Sequence, residues 1–193
     1  MIHATALPAL AVLATGFFIF AALVLAARWR RRDEPGARRD TRSLAGIIVQ
    51  SLAFAVTATG PVAVTLDPLG APALILAGTV ALLLAAAIGL FAWARRTMGQ
   101  NWSVVARMRS DHALVTTGPF AHVRHPIYVA LALLLVALGL GLGHTPRLVA
   151  GLPLYALGTW LRIRVEERLL AVQFGAAYDV YARRVKRFVP GLF

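Results

Sequence analysis

The chain has 193 residues, of which 59% are hydrophobic and 15% charged, with a mean hydropathy of +0.72 and a formal net charge of +12. A soluble domain carries roughly 45–50% apolar and about 25% charged residues, so an ordinary water-soluble globule, a disordered segment and a fibrous repeat are excluded. With no cysteine, disulfide scaffolds, thiolate metal sites and cysteine nucleophiles are excluded too.

About 20 apolar residues cross the hydrocarbon core of a bilayer, and apolar runs of that order follow one another along the chain. The first covers residues 7–27 and ends at Arg28 and Trp29 instead of at a small-residue cleavage site, which predicts a retained span and not a signal peptide. The second covers 44–66, with a kink expected at Gly60-Pro61. Asp67-Pro68-Leu69-Gly70 reads as a tight turn, so the third run, 72–94, is expected to return against the second as an antiparallel hairpin. A polar connector runs from Arg95 to Pro126. Two shorter runs follow, 127–143 and 148–161, separated by Gly143-His144-Thr145-Pro146. They predict a helical hairpin, its second arm either tilted or continuing past Arg162 into water.

Of the 20 Lys and Arg residues, 19 are Arg, which suggests a prokaryote with a GC-rich genome. Their placement argues against nucleic-acid binding, for they fall in blocks between long uncharged stretches, the pattern of a membrane protein. The Arg-rich loop 28–43, the connector and the tail from Arg162 to Arg187 hold all but Arg147. The positive-inside rule then places these segments in the cytoplasm and the N-terminus outside. An odd number of crossings is required, and five runs are present. The expectation is an all-α, multi-pass membrane bundle of five helices, in a prokaryotic cell membrane. It divides into a three-span region, 1–98, and a chemistry-bearing region, 99–193.

Within the tail, Leu170, Phe174, Tyr178, Tyr181, Val185 and Phe188 recur at helical spacing, with Arg183, Arg184, Lys186 and Arg187 beside them. This predicts an amphipathic helical cap on the cytoplasmic face, with an interruption expected at Gly175.

Two polar clusters border the last spans, where ionisable groups are costly unless used. In the first, Gly118-Pro119-Phe120-Ala121-His122-Val123-Arg124-His125-Pro126-Ile127-Tyr128, Pro126 opens a helix. Arg124 and His125 then sit at a helix N-terminus whose free N–H groups attract an anion. In the second, Arg162 and Glu166 are i and i+4 on one face, and Arg164 and Glu167 i and i+3 on another. The hairpin would bring both clusters together at the cytoplasmic surface. Simpler readings stand beside these: interfacial anchors for Arg124 and His125, a surface helix pair for Arg162 and Glu166. No metal-ligand spacing, Walker loop, nucleophile elbow or dinucleotide fingerprint is present.

Taken in order, "RHPIY", "RIRVEE", "FGAAYDVY" and a near-terminal Pro190 resemble the isoprenylcysteine carboxyl methyltransferase family, over residues 101–190. The resemblance implies S-adenosylmethionine as cofactor, S-adenosylhomocysteine as product, and a lipophilic or lipidated acceptor drawn from the bilayer. It implies cofactor contacts from His112, Ala113, Leu114, Val115, Phe120, His125, Pro126, Ile127, Tyr128 and Glu166, to which the helix N-terminus adds Arg124. It implies an acceptor-handling role for Arg162. Two departures stand out: Ala106 falls where some members have a Gln, and Phe120 replaces a commoner Tyr. A carboxylate acceptor needs no general base. An amine acceptor, as in the related phospholipid N-methyltransferases, makes a base desirable, with Glu167 or Tyr128 as candidates. A non-enzymatic lipid-binding or assembly protein on the same scaffold is the remaining alternative.

Overall fold

The computed structural model describes residues 4–29, 38–39, 42–99, 107–108 and 114–191. Among them the chain is all-helical, with six α-helices: α1 Leu7–Trp29, α2 Arg42–Ala58, α3 Ala71–Met98, α4 Pro126–Gly141, α5 Leu148–Phe174 and α6 Ala176–Arg184. Two-residue strands form two small ribbons. Ala4–Thr5 (β1) pairs in parallel with Ala63–Val64 (β3), and Arg38–Arg39 (β2) pairs antiparallel with Arg107–Met108 (β4).

Local sequence accounts for the helix ends. Proline stands in the first turn of α3 and of α4, where its missing N–H costs nothing and its fixed φ suits the helix. Gly99 and Gly175 close α3 and α5 at φ 55° and 49°, a region that disfavours residues with a Cβ. The second helix ends earlier than the apolar run 44–66 suggests, at Ala58. Gly60 takes φ 128°, Pro61 follows it, and residues 63–64 turn to β pairing with 4–5.

Packing departs from the expected order. The turn at 67–70 forms, Gly70 N donating to Asp67 O at 3.0 Å, but α2 lies chiefly along α5, while α3 lies against α1 and α4. The α2–α5 seam is made of small residues. A Cβ on Gly158 would come within 2.8 Å of Gly46 O and of Gln50 N, and one on Gly151 would run into Thr57 Oγ1. Such backbone approach is the usual way apolar helices associate without a hydrophobic driving force between them. On the other side, α1 and α3 run in the same direction, Phe20 against Phe91 with ring centroids 4.8 Å apart. Val80, Leu84, Leu134 and Leu138 complete that core. Thus α2, from the first half of the chain, packs on α5, which carries one of the motifs.

The hairpin of α4 and α5 forms as expected: Tyr155 Oη donates to Tyr128 O at 2.6 Å, near one end, and Leu148 crowds Gly139 at the other. At that far end His144 lies buried between two carbonyls, with Nδ1 3.0 Å from Thr57 O and Nε2 3.1 Å from Pro61 O. The fifth helix continues unbroken for 27 residues, through Arg162 and Glu167. Large apolar side chains including Phe18, Ile75, Leu82 and Val149 are more than two-thirds exposed. The helices at Leu7–Ala27 and Ala71–Met98 are long and apolar enough to cross a membrane, while α2 and α4 are shorter apolar helices.

The tail stripe is divided among three segments. Leu170 and Phe174 end α5, Tyr178 and Tyr181 lie on α6, and Val185 lies beyond it, yet all five meet in one apolar cluster together with Leu114. Gly175 makes the corner that the periodicity alone does not show.

Candidate functional site

The site lies where the start of α4 meets the middle of α5 and the tail folds across both. Gly118, at φ 59°, begins a 3₁₀ turn, Gly118–Ala121, that turns the chain toward α4. Tyr181 Oη donates to Phe120 O at 2.7 Å and ties that turn to α6. Just before Pro126, the tail pairs with the connector: Arg124 N donates to Lys186 O at 2.8 Å and His125 N to Arg187 O at 3.1 Å. The amides of Arg124 and of the N-cap residue His125 are therefore already occupied by the tail.

Charged side chains converge beneath this cover. Glu167 accepts two hydrogen bonds from Arg187, at 3.0 and 2.7 Å. It also lies 3.1 Å from His125 Nε2 and 3.3 Å from Arg124 Nη2. Arg124 further donates to Ala182 O at 3.0 Å, and Phe188 lies 6.2 Å from the His125 ring. Burial pushes the Glu167 carboxyl up. The hydrogen bonds from His125 and Arg187 and the charges of His125 and Arg124 outweigh it, holding the group down at about 2. The same contact raises Arg187. Burial and the Glu167 charge push the Tyr178 phenol well above its ordinary range, and burial raises Tyr181 to about 12.

Glu166, one residue earlier, points elsewhere. Its Oε1 accepts from Tyr128 Oη and lies 3.6 Å from Arg162 Nη2. Its Oε2 lies 4.0 Å from His125 Nδ1, beyond hydrogen-bond length. Arg162 sits with its guanidinium carbon 5.1 Å from the Tyr128 ring centroid and donates to Gln50 Oε1 on α2 at 3.2 Å.

Of the residues singled out in sequence, Arg124, His125, Tyr128, Arg162, Glu166 and Glu167 are brought together, with Pro126 opening the helix that carries Tyr128. Ile127, next on the turn, packs against the α1–α3–α4 core instead. Phe120 is buried beside the cluster through its bond to Tyr181, Leu114 joins the tail's apolar cluster, and Val115 is half-buried. His112 and Ala113 lie outside the described residues, as do Ala106 and most of the loop 28–43. Arg164 does not pair with Glu167 but stacks over Trp160, 4.6 Å from the ring centroid. Gln50 and Arg187 are additions. Gln50 could have been singled out as the lone amide in an otherwise apolar span; nothing local marks Arg187 among its basic neighbours. Among the described residues no group of three His, Asp or Glu side chains is placed to hold a metal ion.

Fold and site together define a class: an apolar helical bundle with membrane-length helices, carrying a half-covered charged site at one end of a helical hairpin. Residues 79–172, spanning α4 and most of α3 and α5, match the model of the isoprenylcysteine carboxyl methyltransferase (ICMT) family. Among curated proteins, a nickel-cobalt-cadmium resistance protein, NccN, of Alcaligenes xylosoxydans xylosoxydans is 36% identical over 107 residues, 54% of this chain and 49% of that protein. The cobalt-zinc-cadmium resistance protein CzcN of Cupriavidus metallidurans is 34% identical over 117 residues, 60% of this chain and 53% of that one. A protein-S-isoprenylcysteine O-methyltransferase of Schizosaccharomyces pombe is 36% identical over 98 residues, 48% and 40% of the respective chains. The matched stretches span about half the length of these relatives, or less.

Proposed function

We propose that this protein is a multi-pass membrane enzyme that transfers a methyl group from S-adenosylmethionine to the carboxylate of a lipophilic acceptor, giving a methyl ester. The observation that carries the reading is Arg162. A guanidinium lies among apolar helices, tethered by Gln50 and Glu166 over the Tyr128 ring, within the segment matching the ICMT family. A cation placed there suits an anionic headgroup arriving from the bilayer while its tail stays among lipids.

The donor set fits the cofactor. Glu166 is a quarter exposed, and its Oε2 has no neighbour within hydrogen-bond distance in the contacts above, which suits the ammonium or a ribose hydroxyl of S-adenosylmethionine. Tyr128, His125 and Pro126 would line the same pocket, with Leu114, Val115, Phe120 and the stretch at His112 and Ala113 on its connector side. Bound there, the cofactor supplies an electrophilic methyl group and leaves as S-adenosylhomocysteine.

Positioning is then the main demand on the protein. Arg162 aligns the acceptor carboxylate without neutralising it fully, since Glu166 shares its charge. A carboxylate near neutral pH is already the nucleophile, so no proton has to move. Glu167, engaged by Arg187, Arg124 and His125 and held at about 2, serves as the clamp of the tail, and ester formation asks no proton transfer of it. In this reading α1 to α5 are five spans, with the site and the tail on the cytoplasmic side, the N-terminus outside and substrate entering laterally.

The test is a titration of detergent-purified protein with S-adenosylmethionine and S-adenosylhomocysteine, then transfer of labelled methyl to N-acetyl-S-farnesylcysteine and to phosphatidylethanolamine. A base-labile product that Arg162→Ala abolishes, with cofactor affinity kept, is the expected result. A stable methylamine would establish the N-methyl reading. Absence of cofactor binding by the folded protein would leave the non-enzymatic one.

A further inference from the structure

Gln50 lies on α2, outside the family-matched segment, in an apolar helix where an amide is costly unless both its ends are bonded. It is 6% exposed, and both ends are used. Arg162 Nη1 donates to its Oε1 at 3.2 Å, and its Nε2 donates to Thr159 Oγ1 at 2.8 Å. The direction is forced, because a guanidinium can only donate and so must meet the amide oxygen. Tyr155, one turn before Thr159 on α5, donates from Oη to Tyr128 O. An amide flip would face Arg162 with N–H groups and lose that bond.

Space for the arrangement also comes from α2. A Cβ on Gly46, one turn before Gln50, would run into Arg162 Cγ and stand 2.7 Å from Gly158 O. The stem of Arg162 therefore lies against bare backbone, and its head is bracketed by Gln50 on one side and Glu166, 3.6 Å away, on the other. The bracket is asymmetric in charge. Glu166 draws the guanidinium by Coulomb attraction, whereas a neutral amide fixes its direction and cancels none of its charge.

We infer that Gln50 is a positioning residue of the transfer reaction: α2 fixes the plane of the Arg162 guanidinium and so the direction from which it meets the acceptor. This rests on the reading of Arg162 as the acceptor-binding group. It makes the active site a product of both halves of the chain.

Full-length Gln50→Leu, Gln50→Glu, Thr159→Val and Arg162→Ala proteins in nanodiscs test it with three readouts: methyl transfer to N-acetyl-S-farnesylcysteine, S-adenosylhomocysteine affinity, and the rate at which 4-hydroxyphenylglyoxal modifies Arg162, followed by peptide mass spectrometry. Gln50→Leu is expected to lower kcat/KM for the acceptor on the order of tenfold to a hundredfold, the scale of a misplaced reacting group. Cofactor affinity should stay within about twofold, the noise of such a comparison, and Arg162 should be modified several-fold faster. Gln50→Glu should lower transfer further, by cancelling the charge, while slowing modification. Thr159→Val keeps Gln50 but frees its amide, and should shift both quantities in the Leu direction, more mildly; it carries the test if Gln50→Leu does not fold. Wild-type transfer and wild-type modification rates in Gln50→Leu would overturn the inference, as would a parallel fall in cofactor affinity, the mark of general loosening. Transfer that survives Arg162→Ala, or is absent in the wild type, would sink the reading of Arg162 instead. The modification rates would then still decide whether Gln50 orients it.

Discussion

Replacing Glu167 by Gln keeps the size of the side chain and removes the charge on which Arg124, Arg187 and His125 converge. The carboxyl is held at about 2 against an ordinary 4.5 by His125, Arg187 and Arg124. Of these only Arg187 belongs to the tail, and it is 46% exposed, so the share that favours the docked tail is about 1 kcal/mol. Loss of that amount should raise the population with an undocked tail on the order of fivefold. The reporters are the amides of Arg124 and His125, which donate to the carbonyls of Lys186 and Arg187. Their hydrogen-exchange protection in Glu167→Gln should fall by the same factor, and trypsin should cut after Arg183 and Arg184 more readily. The sign with pH follows from a depressed carboxyl: the contribution is fully present above about 4.5 and is lost as pH falls toward about 2. Protection in the wild type should therefore decline in that acid window, while the Gln variant lacks this component. Equal protection in the two proteins at pH 6 would refute the clamp.

Glu166→Ala and His125→Ala should weaken S-adenosylhomocysteine binding before they affect the acceptor, as read by calorimetric titration; unchanged affinity in both would remove the cofactor assignment. Gly158→Ala should drive a methyl group into the backbone of α2 at 2.8 Å and destabilise the α2–α5 seam by about 1–3 kcal/mol, seen as a lower Tm in detergent. Tyr155→Phe should cost about 1 kcal/mol, through a buried hydrogen bond to Tyr128 O lost, without changing cofactor affinity.

Much of this arrangement was legible in the chain before folding. RHPIY and RIRVEE lie about 40 residues apart, and a hairpin of two apolar runs has no other way to place them than side by side. The i, i+4 spacing of Arg162 and Glu166 was enough to pair them, and Pro126 enough to open α4. What failed was partner choice across helices. Periodicity cannot say that α2 leaves α3 and lies along α5, because every face of these helices is apolar and any could meet lipid or protein. For the same reason Gln50 stood in the sequence with no partner to suggest its use, and Glu167 had twelve Lys and Arg residues to choose from within the tail and connector.

By itself, the sequence determined what each segment is: its apolar lengths, its proline starts and its glycine stops. These depend on neighbours along the chain, where 1.5 Å per residue and a fixed φ settle the geometry. Only the tertiary structure decided which glycines meet which backbone, that the tail's carbonyls occupy the amides of Arg124 and His125, and that Arg162 is held from α2. Those are contacts between residues up to 112 positions apart, selected by fit and by the need of each buried donor for an acceptor, and neither requirement is written in local spacing.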